Sequence, residues 1–178
     1  KCPYCNRRSL VYIPEDATYT DPDEVLSYLR KRKGILDGVV ISGGEPLMQK
    51  DLKPFLRKIH RYGYSITLKT SGCRPKLLME YCEAGLVDHV SMDIKNRVEK
   101  YAETAGMDVQ TFSPAGVQES IRYLKSSGIP SEFTTTVVKE FHTMEDLIAI
   151  AQWIGKVDSY VLQQFDDSGE LVNPHLHG

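Results

Sequence analysis

Two cysteines lie close together near the start of the sequence, in the segment Cys2-Pro3-Tyr4-Cys5. Two thiolates on one tight turn can bind zinc or an iron–sulfur cluster, or form a redox-active disulfide, and the spacing alone does not choose among these. A structural zinc site needs a second pair of ligands, and Cys73 and Cys82 are poorly spaced for that role. A thioredoxin-type motif opens a helix, which Pro14 and the Asp21-Pro22 pair would interrupt.

Other chemically versatile residues follow short β-branched runs, at the points where strands are predicted to end. The segments are Ser42-Gly43-Gly44-Glu45-Pro46, Lys69-Thr70-Ser71-Gly72 and Asp93-Ile94-Lys95-Asn96, followed later by Lys139, His142 and the pair Gln163-Gln164. Because the carboxyl ends of parallel strands meet at one edge of a sheet, we expect these groups to converge on one rim. Such a rim could recognise a small zwitterionic ligand, with carboxylates for its amine and an ammonium for its carboxylate.

Each of these segments also has an ordinary interpretation when it is taken alone. Gly43 and Gly44 would let the backbone approach a ligand, but a glycine pair after a strand is also a common turn. Asp93 and Lys95 could form a surface ion pair contributing only ~0–1 kcal/mol, although two residues apart on extended chain they point to the same side. For His142, an ordinary loop histidine without a role is the favoured interpretation.

Helix and strand signals alternate along the chain without a linker. Asp21-Pro22-Asp23-Glu24 predicts the start of a helix that Gly34 ends. Strands are predicted at residues 39–41, 65–68, 89–92, 132–138 and 159–165. Between them, helices are predicted around Leu52 to Ile59, at residues 75–84, as a short polar helix near 98–104, after a Ser113-Pro114 cap, and from a Thr143 cap through Trp153.

Strands regularly separated by helices predict right-handed crossovers and a parallel sheet with helices outside, which is an α/β fold. A complete eight-unit barrel usually needs about 250 residues, so five predicted strands indicate an open or partial barrel. A flat, doubly wound sheet is the alternative. It lacks support because the chain contains no Gly-x-Gly-x-x-Gly turn.

The composition bounds the class of protein. With 178 residues, a net charge of −2 and 41% hydrophobic residues, we expect one domain over residues 1–165 and a tail over 166–178. The nearly neutral charge excludes binding to nucleic acid or to anionic membranes by bulk electrostatics. No apolar run approaches the ~20 residues of a membrane span, and four cysteines are too few for a secreted disulfide scaffold. We therefore expect a cytoplasmic protein with reduced thiols.

Four motifs in this order resemble the radical S-adenosylmethionine (SAM) superfamily. They are Cys2-Pro3-Tyr4-Cys5, the strand that ends in Ser42-Gly43-Gly44-Glu45-Pro46, the Thr70-Ser71-Gly72 turn, and Asp93-Ile94-Lys95-Asn96. Within the superfamily, the chain is most similar to the activating proteins of anaerobic ribonucleoside-triphosphate reductase, which are relatives of the pyruvate formate-lyase activating enzymes. The resemblance extends from about residue 1 to residue 165.

The resemblance implies a [4Fe–4S] cluster held by a Cys-x-x-x-Cys-x-x-Cys loop, of which Cys2 and Cys5 match the second and third cysteines. The first cysteine would lie four residues before Cys2, together with the first strand of a partial (β/α)6-type barrel. The chain does not begin with Met, and we expect it to be part of a longer protein. We also expect the chain as written to be inactive.

The resemblance further implies that SAM binds at the rim of the sheet. Tyr4 would lie near the adenine, while Gly43, Gly44 and Glu45 would receive the methionine amino group. Ser71, Asp93 and Lys95 would contact the methionine carboxylate and the ribose region. The implied SAM-binding set comprises Tyr4, Ser42, Gly43, Gly44, Glu45, Thr70, Ser71, Asp93 and Lys95.

The activity that the resemblance implies is reductive cleavage of SAM, which yields a radical that removes hydrogen from a glycine of the partner anaerobic ribonucleotide reductase. The electron would come from a donor such as flavodoxin or ferredoxin. Two alternatives stay open. One is a radical SAM enzyme that acts on a small molecule, like the deazaguanine-forming synthases, and the other is a non-catalytic α/β domain that binds zinc.

Overall fold

The computed structural model describes residues 2–176 and contains one parallel sheet of five strands in the order β1-β2-β3-β4-β5. The strands are β1 (Gly38–Ile41), β2 (Ser65–Thr70), β3 (His89–Asp93), β4 (Ser131–Val137) and β5 (Tyr160–Gln164). Because each strand pairs in parallel with the next one along the chain, all five carboxyl ends lie at one edge. The predicted α/β fold with crossover helices is confirmed.

Within residues 2–176, seven α-helices flank or connect the strands. They are α1 (Arg8–Val11), α2 (Pro22–Lys31), α3 (Leu52–Arg61), α4 (Pro75–Glu83), α5 (Tyr101–Ala105), α6 (Ala115–Ser126) and α7 (Met144–Ile154), with 3-10 turns at Pro46–Met48 and Val98–Lys100. Two predicted caps are present: Asp21 accepts the Asp23 amide at 2.8 Å, and Thr143 forms a capping box with Asp146. Among residues 2–176, no helix has the length and apolar character that a bilayer crossing would require.

The two faces of the sheet differ in polarity. The side chains of Ile66, Leu68, Val90, Met92 and Phe133 are at most 1% exposed and form the core with the helices. The residues that alternate with them point to the opposite, inner face, where the strand register aligns Lys69 with Ser91 and Ser91 with Glu132. The polar residues of the rim, at the carboxyl ends of the strands, therefore lie next to a polar inner face.

Some elements differ from the predictions. Helix α1 and the 3-10 turn at Pro46–Met48 were not predicted, and α2 ends at Lys31, before Gly34. The helix predicted to be polar, α5, is largely buried, because the Tyr101 ring stacks on Phe112 with 5.2 Å between centroids. Such ring contacts between distant segments leave no periodic signal in a five-residue helix.

Residues 166–176, predicted as a tail, are attached to the cysteine loop. The Val172 amide donates to the Cys5 carbonyl and the Asn173 amide to the Pro3 carbonyl, both at 2.9 Å. Leu176 is 5% exposed and packs in a small apolar cluster that contains Tyr4. This segment thus covers the loop. The domain boundary at residue 165 stays a prediction, and residues 1, 177 and 178 lie outside the described residues.

Candidate cofactor site

The carboxylate of Glu45 joins the loop after β1 to the end of β2. Its Oε1 accepts hydrogen bonds from the Thr70 hydroxyl at 2.8 Å and the Leu47 amide at 3.3 Å. Its Oε2 accepts from the Ser71 amide at 2.9 Å and the Ser71 hydroxyl at 2.6 Å. Four donors occupy the roughly four acceptor positions of a carboxylate. Glu45 therefore links the loop after β1 to the end of β2 by hydrogen bonds.

This arrangement bears on the predicted amine contacts of the Gly43–Gly44–Glu45 turn. Since the Glu45 oxygens are already engaged, an incoming amine would depend mainly on backbone carbonyls. Gly43 has a φ of 134°, which other residues rarely adopt, and a Cβ at Gly44 would meet no atom within 4 Å. The turn is therefore open to a ligand, and Ser42 beside it is exposed.

A second group forms where β3 ends. Lys95 Nζ lies 2.5 Å from Asp93 Oδ2, and the ammonium stands 5.5 Å from the centroid of the Tyr4 ring. Tyr4 is buried, with its ring against Phe141 and Phe165 at centroid distances of 5.9 and 6.3 Å. The cysteine loop therefore rests on the β3 end through Tyr4, which brings its thiols to the same rim as Asp93 and Lys95.

Burial and charge both act on this second group. Burial on its own would lower the pKa of Lys95, but the neighbouring Asp93 carboxylate outweighs it, so the pKa lies well above its usual range. Burial raises the pKa of the Tyr4 hydroxyl, and the Lys95 charge opposes that rise. Lys95 is thus a fixed cation and Tyr4 a neutral phenol at neutral pH.

Three buried side-chain oxygen atoms have no hydrogen-bond partner within residues 2–176: Tyr4 OH, Asp93 Oδ1 and Tyr101 OH. Buried polar atoms are normally paired, so their free capacity marks a place where a polar ligand fits. The Tyr101 hydroxyl is buried in the same surroundings, where the charges of Lys95 and Asp93 and the backbone of Lys95 all act on it. Tyr101 was not predicted as a site residue because it lies on a helix that was interpreted from the sequence as polar.

The cysteines supply part of a metal site. Cys2 and Cys5 are unpaired, partly exposed, and joined by a turn in which the Cys5 amide donates to the Cys2 carbonyl at 3.0 Å. No three ligating side chains of His, Cys, Asp or Glu come together in the described part of the chain. The two thiolates suit an iron–sulfur cluster only if a third ligand joins them. Burial raises the pKa of Cys82 to about 11, consistent with the predicted apolar role of that residue.

The predicted site residues therefore form two groups at one rim. Glu45 binds Thr70 and Ser71, whereas Lys95 binds Asp93 and contacts Tyr4. His142, interpreted from the sequence as an ordinary loop residue, is instead 7% exposed and hydrogen-bonded to the Lys95 carbonyl at 2.8 Å. Only its place after a strand at the rim could have singled it out in the sequence.

Related proteins include enzymes of two kinds. The chain is 30% identical over 175 residues to the Methanocaldococcus jannaschii protein named "Putative glycyl-radical enzyme activating enzyme MJ1227", covering 93% of this chain and 68% of the relative. It is 24% identical over 160 residues to the "Probable GTP 3',8-cyclase" of Thermococcus kodakarensis, covering 88% of this chain and 50% of the relative. The chain thus spans about two thirds of the first protein and half of the second.

Solved structures share the fold. Streptococcus suis SuiB bound to S-adenosylmethionine superposes with a TM-score of 0.73 at 17% identity, over 96% of this chain and 39% of that one. The protein anSMEcpe with bound AdoMet gives a TM-score of 0.66 at 14% identity, over 93% of this chain and 48% of that one. These identities are low, so the likeness establishes the architecture alone.

The family model of the radical SAM superfamily matches residues 1–154, which is most of the chain. Those residues contain the cysteine loop, the Gly43–Gly44–Glu45 turn and the Asp93–Lys95 pair that the fold brings to one rim. The chain belongs to the radical SAM superfamily.

Proposed function

We propose that this chain binds SAM and a [4Fe–4S] cluster at the rim and belongs to an activating enzyme that generates a glycyl radical on an anaerobic ribonucleotide reductase. The observation that supports cofactor binding most directly is the group of Tyr4, Asp93 and Lys95 beside the cysteine loop. It offers a fixed cation and an acceptor oxygen without a partner, Asp93 Oδ1, within one buried space.

When bound, the cluster and SAM supply one-electron cleavage of a carbon–sulfur bond, with the electron delivered by a donor such as flavodoxin or ferredoxin. The chain's own residues bind and orient. Lys95 would hold the SAM carboxylate, and the Gly43 and Gly44 carbonyls would face its amine. Glu45 would keep that turn against Thr70 and Ser71. Tyr4, which is 6% exposed, would exclude water from the thiols.

The substrate class rests on two arguments. The Methanocaldococcus jannaschii relative carries the name of a glycyl-radical enzyme activating enzyme and matches almost the whole chain. In addition, the charged residues of the rim and inner face include Glu45, Asp93 and Glu132 against Lys69, Lys95 and Lys139, with no excess of cations. This balance suits a peptide better than a nucleoside triphosphate, whose several negative charges need an excess of cations.

A small-molecule reaction is the second candidate, because the GTP 3',8-cyclases of Thermococcus kodakarensis and Helicobacter pylori match more than four fifths of the chain. The zinc-binding alternative loses its support, since residues 1–154 match the family model of the radical SAM superfamily.

The test uses the chain extended at its N-terminus so that a cysteine lies four residues before Cys2; this longer form is reconstituted anaerobically with iron and sulfide. It is incubated with SAM, a reductant and the anaerobic ribonucleotide reductase of the same organism. We expect the glycyl radical doublet in the electron paramagnetic resonance spectrum of the reductase. In a parallel incubation without the reductase, which itself acts on ribonucleoside triphosphates, we expect no consumption of added GTP. GTP consumption without a glycyl radical would overturn the proposal in favour of the second candidate.

A further inference from the structure

His142 connects the loop after β4 to the backbone of Lys95. Its Nε2 lies 2.8 Å from the Lys95 carbonyl oxygen, which can only accept, so Nε2 carries the proton and donates. Its Nδ1 lies 3.1 Å from the Val138 amide nitrogen, which donates to it when the ring is neutral. Both ring nitrogens are therefore used, and the imidazole crosslinks two segments that lie 47 residues apart.

Asn96 makes a second crosslink between the same segments. Its side chain is fully buried, and Nδ2 donates to the Phe141 carbonyl at 3.0 Å and to the Thr104 hydroxyl at 2.9 Å. Its Oδ1 accepts the Arg97 amide at 2.7 Å. The Val138–His142 turn itself is held by backbone hydrogen bonds from Phe141 and His142 to the Val138 carbonyl. The turn that carries His142 is thus held in place by its own backbone hydrogen bonds.

These contacts matter because Lys95 lies beyond the end of the sheet. Strand β3 stops at Asp93, and the last strand-like hydrogen bond runs from the Ile94 amide to the Thr134 carbonyl at 2.8 Å. The Lys95 carbonyl then has His142 as its side-chain donor. Without that donor, the Lys95 carbonyl would lose this restraint, and the backbone that carries the ammonium would be held only through the neighbouring residues Ile94 and Asn96. The ammonium itself would stay attracted to Asp93.

We propose that His142 is a positioning residue: by holding the Lys95 backbone, it fixes the direction in which the Lys95 ammonium meets Asp93, the Tyr4 ring and a bound SAM. The part that concerns SAM rests on the function proposed above. The link between His142 and Lys95 does not, and it can be tested in the protein without any cofactor.

Two substitutions separate the roles of the ring nitrogens. Gln places its amide nitrogen near the position of Nε2 and can still donate to the Lys95 carbonyl, whereas Asn is one bond shorter and reaches only toward Val138. Both variants keep a buried polar group, so their costs in stability are comparable. The measurement is the rate at which each lysine of the 178-residue chain is acetylated by an N-hydroxysuccinimide ester, followed by peptide mass spectrometry.

In the native chain, we expect slow acetylation of Lys95, whose side chain is 16% exposed and paired with Asp93. His142→Asn should raise that rate about five- to tenfold, the ratio that corresponds to one lost hydrogen bond, and His142→Gln should restore it to within about twofold. Lys125, which binds the Ile154 carbonyl away from the rim, should be unaffected. Tyr64→Phe, which removes a buried hydrogen bond to Leu29, is the structural control and should leave Lys95 protected.

Melting curves are recorded first. If His142→Asn is unfolded, the folded His142→Gln variant decides alone, because unprotected Lys95 in that variant would contradict the proposal. Equal rates in the native chain and a folded His142→Asn variant would overturn it as well.

SAM affinity gives the second readout, in the longer reconstituted form. We expect His142→Asn to raise the Kd for SAM about five- to tenfold, and to have no further effect when Lys95 is already replaced by Met. An equal effect in both backgrounds would show that His142 does not act through Lys95. If no form binds SAM, the proposed function fails, and the acetylation rates still decide whether His142 positions Lys95.

Discussion

At the residue scale, two residues each make several of the contacts that form the site. Glu45 receives four hydrogen bonds, and Lys95 interacts with Asp93, Tyr4 and, through its backbone, His142. The residue types and their order along the chain predicted that Glu45 and Lys95 belong to the rim. The hydrogen bonds from Thr70 and Ser71 to the Glu45 carboxylate could not be predicted, because they depend on side-chain directions at two neighbouring strand ends.

Replacing Lys95 by Ala should weaken SAM binding by roughly 1.5–3 kcal/mol, about ten- to hundredfold, since a charge-assisted hydrogen bond in an enclosed site is lost. The iron–sulfur absorption of the longer reconstituted form should stay unchanged. Isothermal titration with SAM measures the effect, and Lys125→Ala, which removes a lysine away from the rim, serves as the control. Equal affinities of Lys95→Ala and the native protein would remove Lys95 from the site.

At the element scale, the turn after β2 needs a glycine at position 72. Gly72 has a φ of 70°, and a Cβ there would lie 2.0 Å from Met92 Cε and 3.2 Å from Ser120 Cβ, both in the core. The Ser120 hydroxyl also donates to the Gly72 carbonyl at 2.7 Å. The Thr-Ser-Gly sequence predicted a turn, but not the packing of Met92 and Ser120 against this position, which adds to the strain that its φ imposes on a side chain.

Gly72→Ala should therefore lower the free energy of unfolding more than Gly85→Ala does. Gly85 has a φ of 63° and no atom within 4 Å of a built Cβ, so its substitution tests backbone strain alone, about 1–2 kcal/mol. The clash at Gly72 should add roughly 1–3 kcal/mol. Urea unfolding of both variants measures the difference, and equal losses would show that Met92 yields without cost.

The start of α7 carries a pH-dependent contribution to stability. Burial on its own would raise the pKa of Asp146, but hydrogen bonds from Lys100 and Thr143 outweigh it and lower the pKa to about 2. The Lys100 ammonium lies 2.6 Å from the Asp146 carboxylate. Since the folded pKa lies below the unfolded value of about 3.9, the stabilisation is present above pH ~4 and disappears as pH falls toward 2.

Asp146→Asn should lower the free energy of unfolding by roughly 1–3 kcal/mol at pH 7, because Lys100 loses its charged partner. The difference from the native chain should shrink between about pH 4 and pH 2, because over this range Asp146 binds a proton in the unfolded chain while the folded carboxylate is protonated only near pH 2. Urea midpoints across this range test it. Glu140→Gln, at an exposed carboxylate in the preceding loop, should show no comparable loss. A difference that grows on acidification would contradict the assignment.

At the scale of the whole molecule, local signals predicted the topology correctly because each unit carries its own start and stop. β-branched runs such as Val39-Val40-Ile41 and caps such as Asp21 and Thr143 need no distant partner to be interpreted. The covering of the cysteine loop by residues 166–176 could not be predicted, since it rests on two backbone hydrogen bonds and one buried side chain, Leu176. None of these leaves a periodic pattern.

The central claim is that the cysteine loop and the Lys95 group together form a SAM-cleaving centre. The most direct measurement is the yield of 5′-deoxyadenosine and methionine from SAM under reducing anaerobic conditions, using the longer form with a cysteine four residues before Cys2. We predict equal amounts of both products from the native sequence, and none from its Cys5→Ser variant or from the 178-residue chain, which carries two thiolates in this loop. Undiminished cleavage by the Cys5→Ser variant, or a longer form that binds zinc and no iron, would contradict the claim.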